Sequence, residues 1–168
     1  LPVAVYQIQN KFRMELRAKS GILRGREFMM KDMYSFHATE ADFEEFYDKM
    51  KGVYKTIFQR VGIGHLTYLT FASGGTFSKY SHEFQTLTAL GEDTIYVCGG
   101  CGYAENKEIS ELKDGDKCPK CDGKVKEEKA VEVGNIFPYG TKYSEAFGLK
   151  FTDEKGEQKF VVSGAYGI

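Results

Sequence analysis

Phe12-Arg13-Met14-Glu15, followed by Leu23-Arg24-Gly25-Arg26-Glu27-Phe28 and the run Met29-Met30-Lys31-Asp32-Met33-Tyr34-Ser35-Phe36-His37, gathers arginines, carboxylates and aromatic rings into one short stretch. Val3 to Glu15 interleaves β-branched and aromatic residues with polar ones, and Leu23 to Met30 does so again after Ala18-Lys19-Ser20-Gly21. The pattern predicts two antiparallel strands joined by a loop. Residues two or four apart on a strand share a face, which pairs Arg13 with Glu15 and Arg24 with Phe28. A guanidinium holds phosphoryl oxygens through paired hydrogen bonds, and a carboxylate accepts from the exocyclic amine of adenine. A second arginine and a flat ring add another phosphate contact and a stacking surface. Taken singly, the arginines read as surface ion pairs with Glu15 or Glu27 and Phe28 as core. The ordered set reads as a grip for a nucleotide.

Working outward, Thr39-Glu40-Ala41-Asp42 is a variant capping box. Phe43, Phe46, Tyr47, Met50, Val53, Tyr54, Ile57, Phe58 and Val61 then recur at helical spacing as far as Gly62. This predicts one long amphipathic helix whose aromatic stripe faces the core. His65 to Ala72, Ser81 to Leu87 and Asp93 to Val97 read as strands, with Gly74-Gly75 breaking the first from the second. Val131 to Val133 resumes strand character, Thr141 to Phe147 reads as a short helix, and Lys150 to Ser163 as a hairpin around Asp153-Glu154-Lys155-Gly156. No internal repeat or low-complexity tract is present.

From Cys98 to about Lys129 large apolar residues are few, and all four cysteines fall there as Cys98-x-x-Cys101 and Cys118-x-x-Cys121. Two such pairs match a tetrahedral thiolate zinc site, each pair forming a knuckle that turns two sulfurs toward one ion. Gly99, Gly100, Gly102 and Gly123 supply the tight turns a knuckle needs. Four protein ligands close the coordination sphere, so the expected Zn²⁺ is structural. Disulfides suit a secreted chain, which nothing here indicates, and a redox pair leaves the second Cys-x-x-Cys unexplained. The lysines of this segment alternate with acidic residues and read as a solvated face.

With 168 residues, 42% of them hydrophobic, 13 Phe and 11 Tyr, the chain is expected to bury one core, as one domain or one with a small appendage. Its 23 basic and 24 acidic residues leave a net charge of −1, so no global basic field draws it to nucleic acid. Leu1 opens without a charged n-region or cleavage site, so no signal peptide is expected. No apolar run approaches a membrane span, so no membrane association is expected. Both ends read as interior to a longer polypeptide.

The Phe12–Glu15 and Arg24–Phe28 segments resemble motif two of the class II aminoacyl-tRNA synthetases. Met30 to His37, the lead-in Tyr6-Gln7-Ile8-Gln9, Ser81-His82-Glu83-Phe84, Gly134-Asn135-Ile136-Phe137 and Gly140-Thr141-Lys142-Tyr143-Ser144-Glu145 resemble the bacterial prolyl-tRNA synthetase family. Gly164-Ala165-Tyr166-Gly167-Ile168 resembles the entrance to motif three there. The resemblance covers nearly the whole chain, in order. It implies an α+β catalytic core, an antiparallel sheet flanked by helices. Residues 1–94 and 130–168 would form that core, and 95–129 a small zinc-ribbon insertion in place of an editing domain.

The activity so implied is ATP-dependent formation of prolyl-adenylate and transfer of proline to tRNA(Pro), with ATP and Mg²⁺ entering as the substrate complex. By position, Arg13 would hold the α-phosphate and the proline carboxylate, Glu15 the adenine amine and Arg24 the γ-phosphate, while Phe28 would stack on adenine. Glu132 would serve Mg²⁺ or ribose. His82, Phe84, Asn135 and Gly164 would wall the proline pocket, supported by Asp32 and Tyr34, and Arg17 and Lys19 would reach the tRNA acceptor end. A cytoplasmic location and a homodimeric full-length enzyme follow from the same resemblance.

The pattern also departs from the family. Motif one, the loop for the proline amine, the motif-three arginine, the large editing insertion and an anticodon-binding domain are all absent from this stretch, so it is expected not to charge tRNA by itself. One rival reading is an inert synthetase-like scaffold carrying a zinc-ribbon module for RNA or protein. Another is a related class II enzyme for a different small amino acid.

Overall fold

Strand β1 (Val3–Phe12) pairs antiparallel with β2 (Glu27–His37), from Val3 opposite Phe36 to Phe12 opposite Glu27, in a computed structural model that describes residues 1–168. The expected hairpin is present, but both strands differ from the expected bounds. The first stops at Phe12 rather than Glu15, and the second begins at Glu27 rather than Leu23 and runs on to His37. The Arg13 amide still donates to the Arg26 carbonyl at 2.9 Å, after which the Glu15 amide turns back onto the Arg13 carbonyl. Left-handed Ser20 (φ 59°) and Gly21 (φ 61°) then bend the tip into a single 3-10 turn over Gly21–Leu23. Left-handed residues cannot continue a pleat, so the loop consumes residues whose composition alone suits a strand.

Helix α1 spans Glu40–Arg60, as its periodicity predicts. Thr39 Oγ1 accepts from the Asp42 amide at 3.2 Å, the first half of the capping box. The Asp42 carboxylate is engaged by His37 Nδ1 at 2.7 Å. Phe43, Tyr47, Met50, Tyr54 and Phe58 are buried, and the stripe is core, whereas Val53 and Val61 sit on the exposed flank. Their partners are Phe84, Ile136, Val162 and Tyr166 of the sheet. Tyr54 stacks on Phe84 with ring centroids 4.9 Å apart. Gly164 lies so close under α1 that a Cβ there would stand 2.6 Å from the Phe43 ring.

The remaining elements are β3 (Thr67–Ser73), β4 (Tyr80–Leu87), β5 (Asp93–Cys98), β6 (Ala104–Asn106), β7 (Val125–Gly140), helix α2 (Lys142–Phe147), the hairpin β8 (Lys150–Thr152) with β9 (Gln158–Phe160), and β10 (Val162–Gly167). The main sheet has eight strands in the order β1-β2-β10-β7-β4-β3-β6-β5, with β7 also pairing with β5. Every pairing is antiparallel except that of β3 with β6, at Phe71 and Glu105. The architecture is α+β, with α1 covering one face. Neither helix is long and apolar enough to cross a membrane.

Strand β7 departs furthest from the sequence expectation. The sequence predicts a strand over Val131–Val133, whereas β7 has 16 residues, from Val125 to Gly140. Its first half carries Lys126, Glu127, Glu128 and Lys129, whose charge reads as loop. Pairing with β5 holds it in the sheet. The boundaries drawn at residues 95 and 129 therefore fall inside β5 and β7. Ile95, Val97, Ala104 and Ala130 form a small buried cluster, and Tyr96, Cys98, Cys118 and Val125 another.

Candidate active site

Alternation along the strands sends one set of side chains under α1 and the other to the opposite face of the sheet, part of which α2 covers. On that face a cleft of about 360 Å³ is lined by Arg13, Glu15, Arg24 and Phe28 from the hairpin, by Glu92 and Asp93 ahead of and within β5, and by Glu132 and Asn135 from β7. Arg13 and Glu15 lie beyond the end of β1, and Arg24 precedes β2, so shared strand faces do not explain their meeting. The loop curls to bring them over the cleft. The Arg13 guanidinium lies 5.0 Å from the centre of the Phe28 ring, and Arg24 Nη1 is 3.7 Å from Glu15.

The floor is braced from behind. Lys31, on the α1 side of β2, donates to the Tyr54 hydroxyl (2.8 Å) and to the Tyr166 carbonyl (2.9 Å). The Tyr54 hydroxyl in turn donates to the Gly167 carbonyl at 3.0 Å. Burial holds the Lys31 amine down at about 8. Gly167 packs against Asn135, where a Cβ would stand 2.9 Å from Asn135 Oδ1.

Asn135 Nδ2 donates to Glu132 Oε1 at 2.7 Å, and burial raises the Glu132 carboxyl above the usual range. Glu83 sits beside it on β4, its Oε2 accepting from Gln85 Nε2 (2.9 Å) and Asn106 Nδ2 (3.3 Å). Gln85 also donates to Asp93 at 3.0 Å. Burial, and then the neighbouring Glu132, push the Glu83 carboxyl up to about 7. The folded value lies above the ordinary 4.5, so the native state binds more protons than the unfolded chain between those values. Stability from this group falls as pH rises through that window. Glu83→Gln keeps an oxygen for both donors and removes the charge. It is expected to unfold at higher urea than the parent at pH 8 and to match it near pH 4.5. No gain at pH 8 refutes the buried charge.

Three residues expected around the proline pocket lie on the other side of the sheet. His82 Nδ1 meets the Tyr47 hydroxyl of α1 at 3.0 Å, and burial lowers the imidazole to about 4. Phe84, 1% exposed, is stacked in the core, and Gly164 is packed under Phe43. In the stretch Ser81 to Gln85, alternation turns half-buried His82 and core Phe84 toward α1 and sends Ser81, Glu83 and Gln85 to the opposite face, where Ser81 and Gln85 are also buried. Asn135 does line the cleft. Asp32, on the same face, is held by Lys11 at 2.6 Å. Tyr34 lines a separate aromatic cavity with Phe77, Tyr139, Tyr143 and Phe147. Arg17 and Lys19 lie in the hairpin loop, both exposed, with Lys19 3.1 Å from Glu92.

The four cysteines converge. Their sulfurs all lie within 4.8 Å of one another, with Cys98 to Cys121 and Cys101 to Cys118 each at 3.6 Å, and none is in a disulfide. Two turns of the same form present them, the Cys98 amide donating to Tyr103 and the Cys118 amide to Gly123, both at 2.8 Å. Amides of Lys120 and Gly123 donate to Cys118 and Cys121 sulfurs at 3.4 and 3.3 Å. Tetrahedral Zn–S bonds of about 2.3 Å place sulfurs roughly 3.8 Å apart. The arrangement suits one ion held by four thiolates.

A family model described as tRNA synthetase class II core domain (G, H, P, S and T) matches residues 1–168. The proline--tRNA ligase of Sulfurimonas denitrificans is 40% identical over 187 residues, covering 100% of this chain and 42% of that protein. The probable mitochondrial proline--tRNA ligase of Rattus norvegicus is 41% identical over 170 residues, covering 100% and 35% respectively. The crystal structure of prolyl-tRNA synthetase from Cryptosporidium parvum complexed with L-proline and AMP matches with a TM-score of 0.66 at 18% identity, over 100% of this chain and 29% of that one. That likeness bears on the fold alone. The chain spans less than half the length of these relatives.

Proposed function

Since the chain belongs to the class II tRNA synthetase core family, we propose that it forms part of the catalytic core of a proline–tRNA ligase, a longer protein that activates proline with ATP and transfers it to tRNA(Pro). One observation carries the reading. Arg13, Glu15, Arg24 and Phe28 of the β1–β2 hairpin and Glu132 of the distant strand β7 line a single cleft. The names of the relatives support proline as the amino acid and tRNA as the acceptor.

In this proposal a proline carboxylate oxygen attacks the α-phosphorus of ATP, the bond to the β-phosphate breaks, and pyrophosphate leaves. No side chain acts as a covalent nucleophile. Arg13 holds the carboxylate and the α-phosphate in line and neutralises charge as it builds, which is catalysis by positioning and electrostatics. Glu15 accepts from the adenine amine, Phe28 offers its ring to the base, and Arg24 takes the outer phosphate. Mg²⁺ bound with ATP supplies charge neutralisation at the pyrophosphate, with Glu132 the carboxylate proposed to receive it. A tRNA 3′-terminal hydroxyl then attacks the proline carbonyl carbon and AMP leaves, with Arg17 and Lys19 beside the acceptor end.

The face opposite α1 also suggests how proline is seated. Ala165 and Gly167 of β10 are the small residues on that face, with Asp32 and Asn135 on the strands to either side. We assign the pocket to this row rather than to Phe84 and Gly164. The knuckle segment is proposed to hold one structural Zn²⁺ through Cys98, Cys101, Cys118 and Cys121, and the intact protein to act as a homodimer.

Proline-dependent ATP–pyrophosphate exchange by the intact protein tests the activity. Exchange with proline alone among small amino acids is expected. No exchange with any amino acid overturns the ligase reading, and exchange with another amino acid overturns the substrate.

A further inference from the structure

The β1–β2 loop carries Arg24 and Lys19, yet little fastens it. Within the hairpin, the Lys19 amide donates to Arg24, the Leu23 amide to Ser20, and Arg26 Nε to the Glu15 carbonyl. Beyond the hairpin, every hydrogen bond and ion pair made by residues 14–25 runs to Glu92. Its Oε2 lies 2.8 Å from Arg24 Nε and its Oε1 3.1 Å from Lys19 Nζ. One carboxylate thus spans two cations on the two arms of the loop.

Glu92 stands on a rigid support. The turn before it is held by the Thr88 amide on the Lys129 carbonyl and the Gly91 amide on the Thr88 carbonyl, each at 3.0 Å. Gly91 packs directly on β7, where a Cβ would stand 2.1 Å from the Ala130 carbonyl oxygen. Asp93, the next residue, accepts from the fully buried Gln85. The carboxylate is therefore presented from the sheet, whereas the cations come from a loop with no core contact of its own.

We propose that Glu92 is the positioning residue of this site, anchoring the loop so that Arg24 is held over the cleft for the outer phosphate of ATP. The proposal rests on the ligase reading for its kinetic consequence, and on the loop geometry alone for its structural one. Charge-assisted contacts to Nε fix the plane of a guanidinium as well as its place, which a neutral amide does poorly.

Two measurements on the intact protein and its Glu92→Gln variant test it. Trypsin reads the anchor without any assay of activity, because Arg17, Lys19, Arg24 and Arg26 are all cleavage sites in the loop. Loss of the anchor is expected to speed cleavage there about fivefold, since local opening governs proteolysis. In pyrophosphate exchange the variant is expected to raise KM for ATP about fivefold with KM for proline within about twofold, as loss of a partly exposed ion pair dictates. In an Arg24→Ala background Glu92→Gln is expected to add no further change in KM for ATP. Unchanged loop cleavage overturns the anchor, whatever the activity. Faster cleavage with KM for ATP unchanged or lowered, or with additive effects, overturns the positioning role. A parent protein without exchange overturns the ligase reading and leaves the cleavage result to decide the anchor.

Discussion

Arg13→Ala in the intact protein is expected to lower kcat/KM for proline-dependent pyrophosphate exchange by about 10²–10³-fold, the scale for losing one preorganised donor to a charged transition state. The reason is geometric. Arg13 is exposed, and its guanidinium rests on the Phe28 ring at the mouth of the cleft, free to turn its donors to a phosphoryl oxygen. It contributes little to the fold, so the melting temperature of the variant is expected to stay within a few degrees of the parent, as for a surface substitution away from the core. Arg13→Lys is expected to recover only a fraction, because an ammonium cannot fork between a carboxylate and a phosphate. Exchange measured beside thermal melting checks this. Full activity in Arg13→Ala removes Arg13 from the site.

The second large effect is expected from the cysteines. Metal analysis should find about one zinc per chain, and Cys118→Ser or a strong chelator should release it, since binding to such thiolate sites is worth roughly 10 kcal/mol or more at pH 7. The sulfur-centred cluster of Tyr96, Cys98, Cys118 and Val125 has too little apolar surface to stand alone. Hydrogen exchange should therefore quicken across β5, β6 and the first half of β7 while α1 and its partners keep their protection. The disturbance should also reach the cleft. Asn106 donates to Glu83, and Glu108 accepts from the Ser73 amide at 3.0 Å, so the segment is pinned to β3 and β4. A rise in KM for ATP is the expected kinetic sign. Metal-free protein with paired cysteines and unchanged exchange overturns the zinc assignment.

Features written in local spacing were legible in the sequence. Helix α1 follows from apolar residues returning every three to four positions after Thr39, and the structure keeps both the cap and the buried stripe. The cysteine pairs follow from two knuckles of equal spacing, each closed by short-range amide bonds. The β1–β2 hairpin was legible from its alternation, and it carries Arg13, Glu15, Arg24 and Phe28, whereas Glu132 joins them only through the fold. For the helix, the cysteine knuckles and the hairpin the deciding partners are near in sequence.

Tertiary structure decided the rest. Alternation in Ser81 to Gln85 shows that two faces exist without saying which one α1 covers, and a choice of face sends every second side chain to the opposite environment. That is why His82, Phe84 and Gly164 lie under the helix while Glu83 and the buried Gln85 lie on the opposite side. The charged first half of β7 is a strand only because β5 is there to pair with it. Glu92 reads as one more polar loop residue until the fold sets its carboxylate against Arg24 and Lys19, 68 and 73 positions away in the chain. Periodicity and capping report energies that act within a few residues. Cover, pairing and anchoring are set by contacts whose loop-closure cost only the completed core repays.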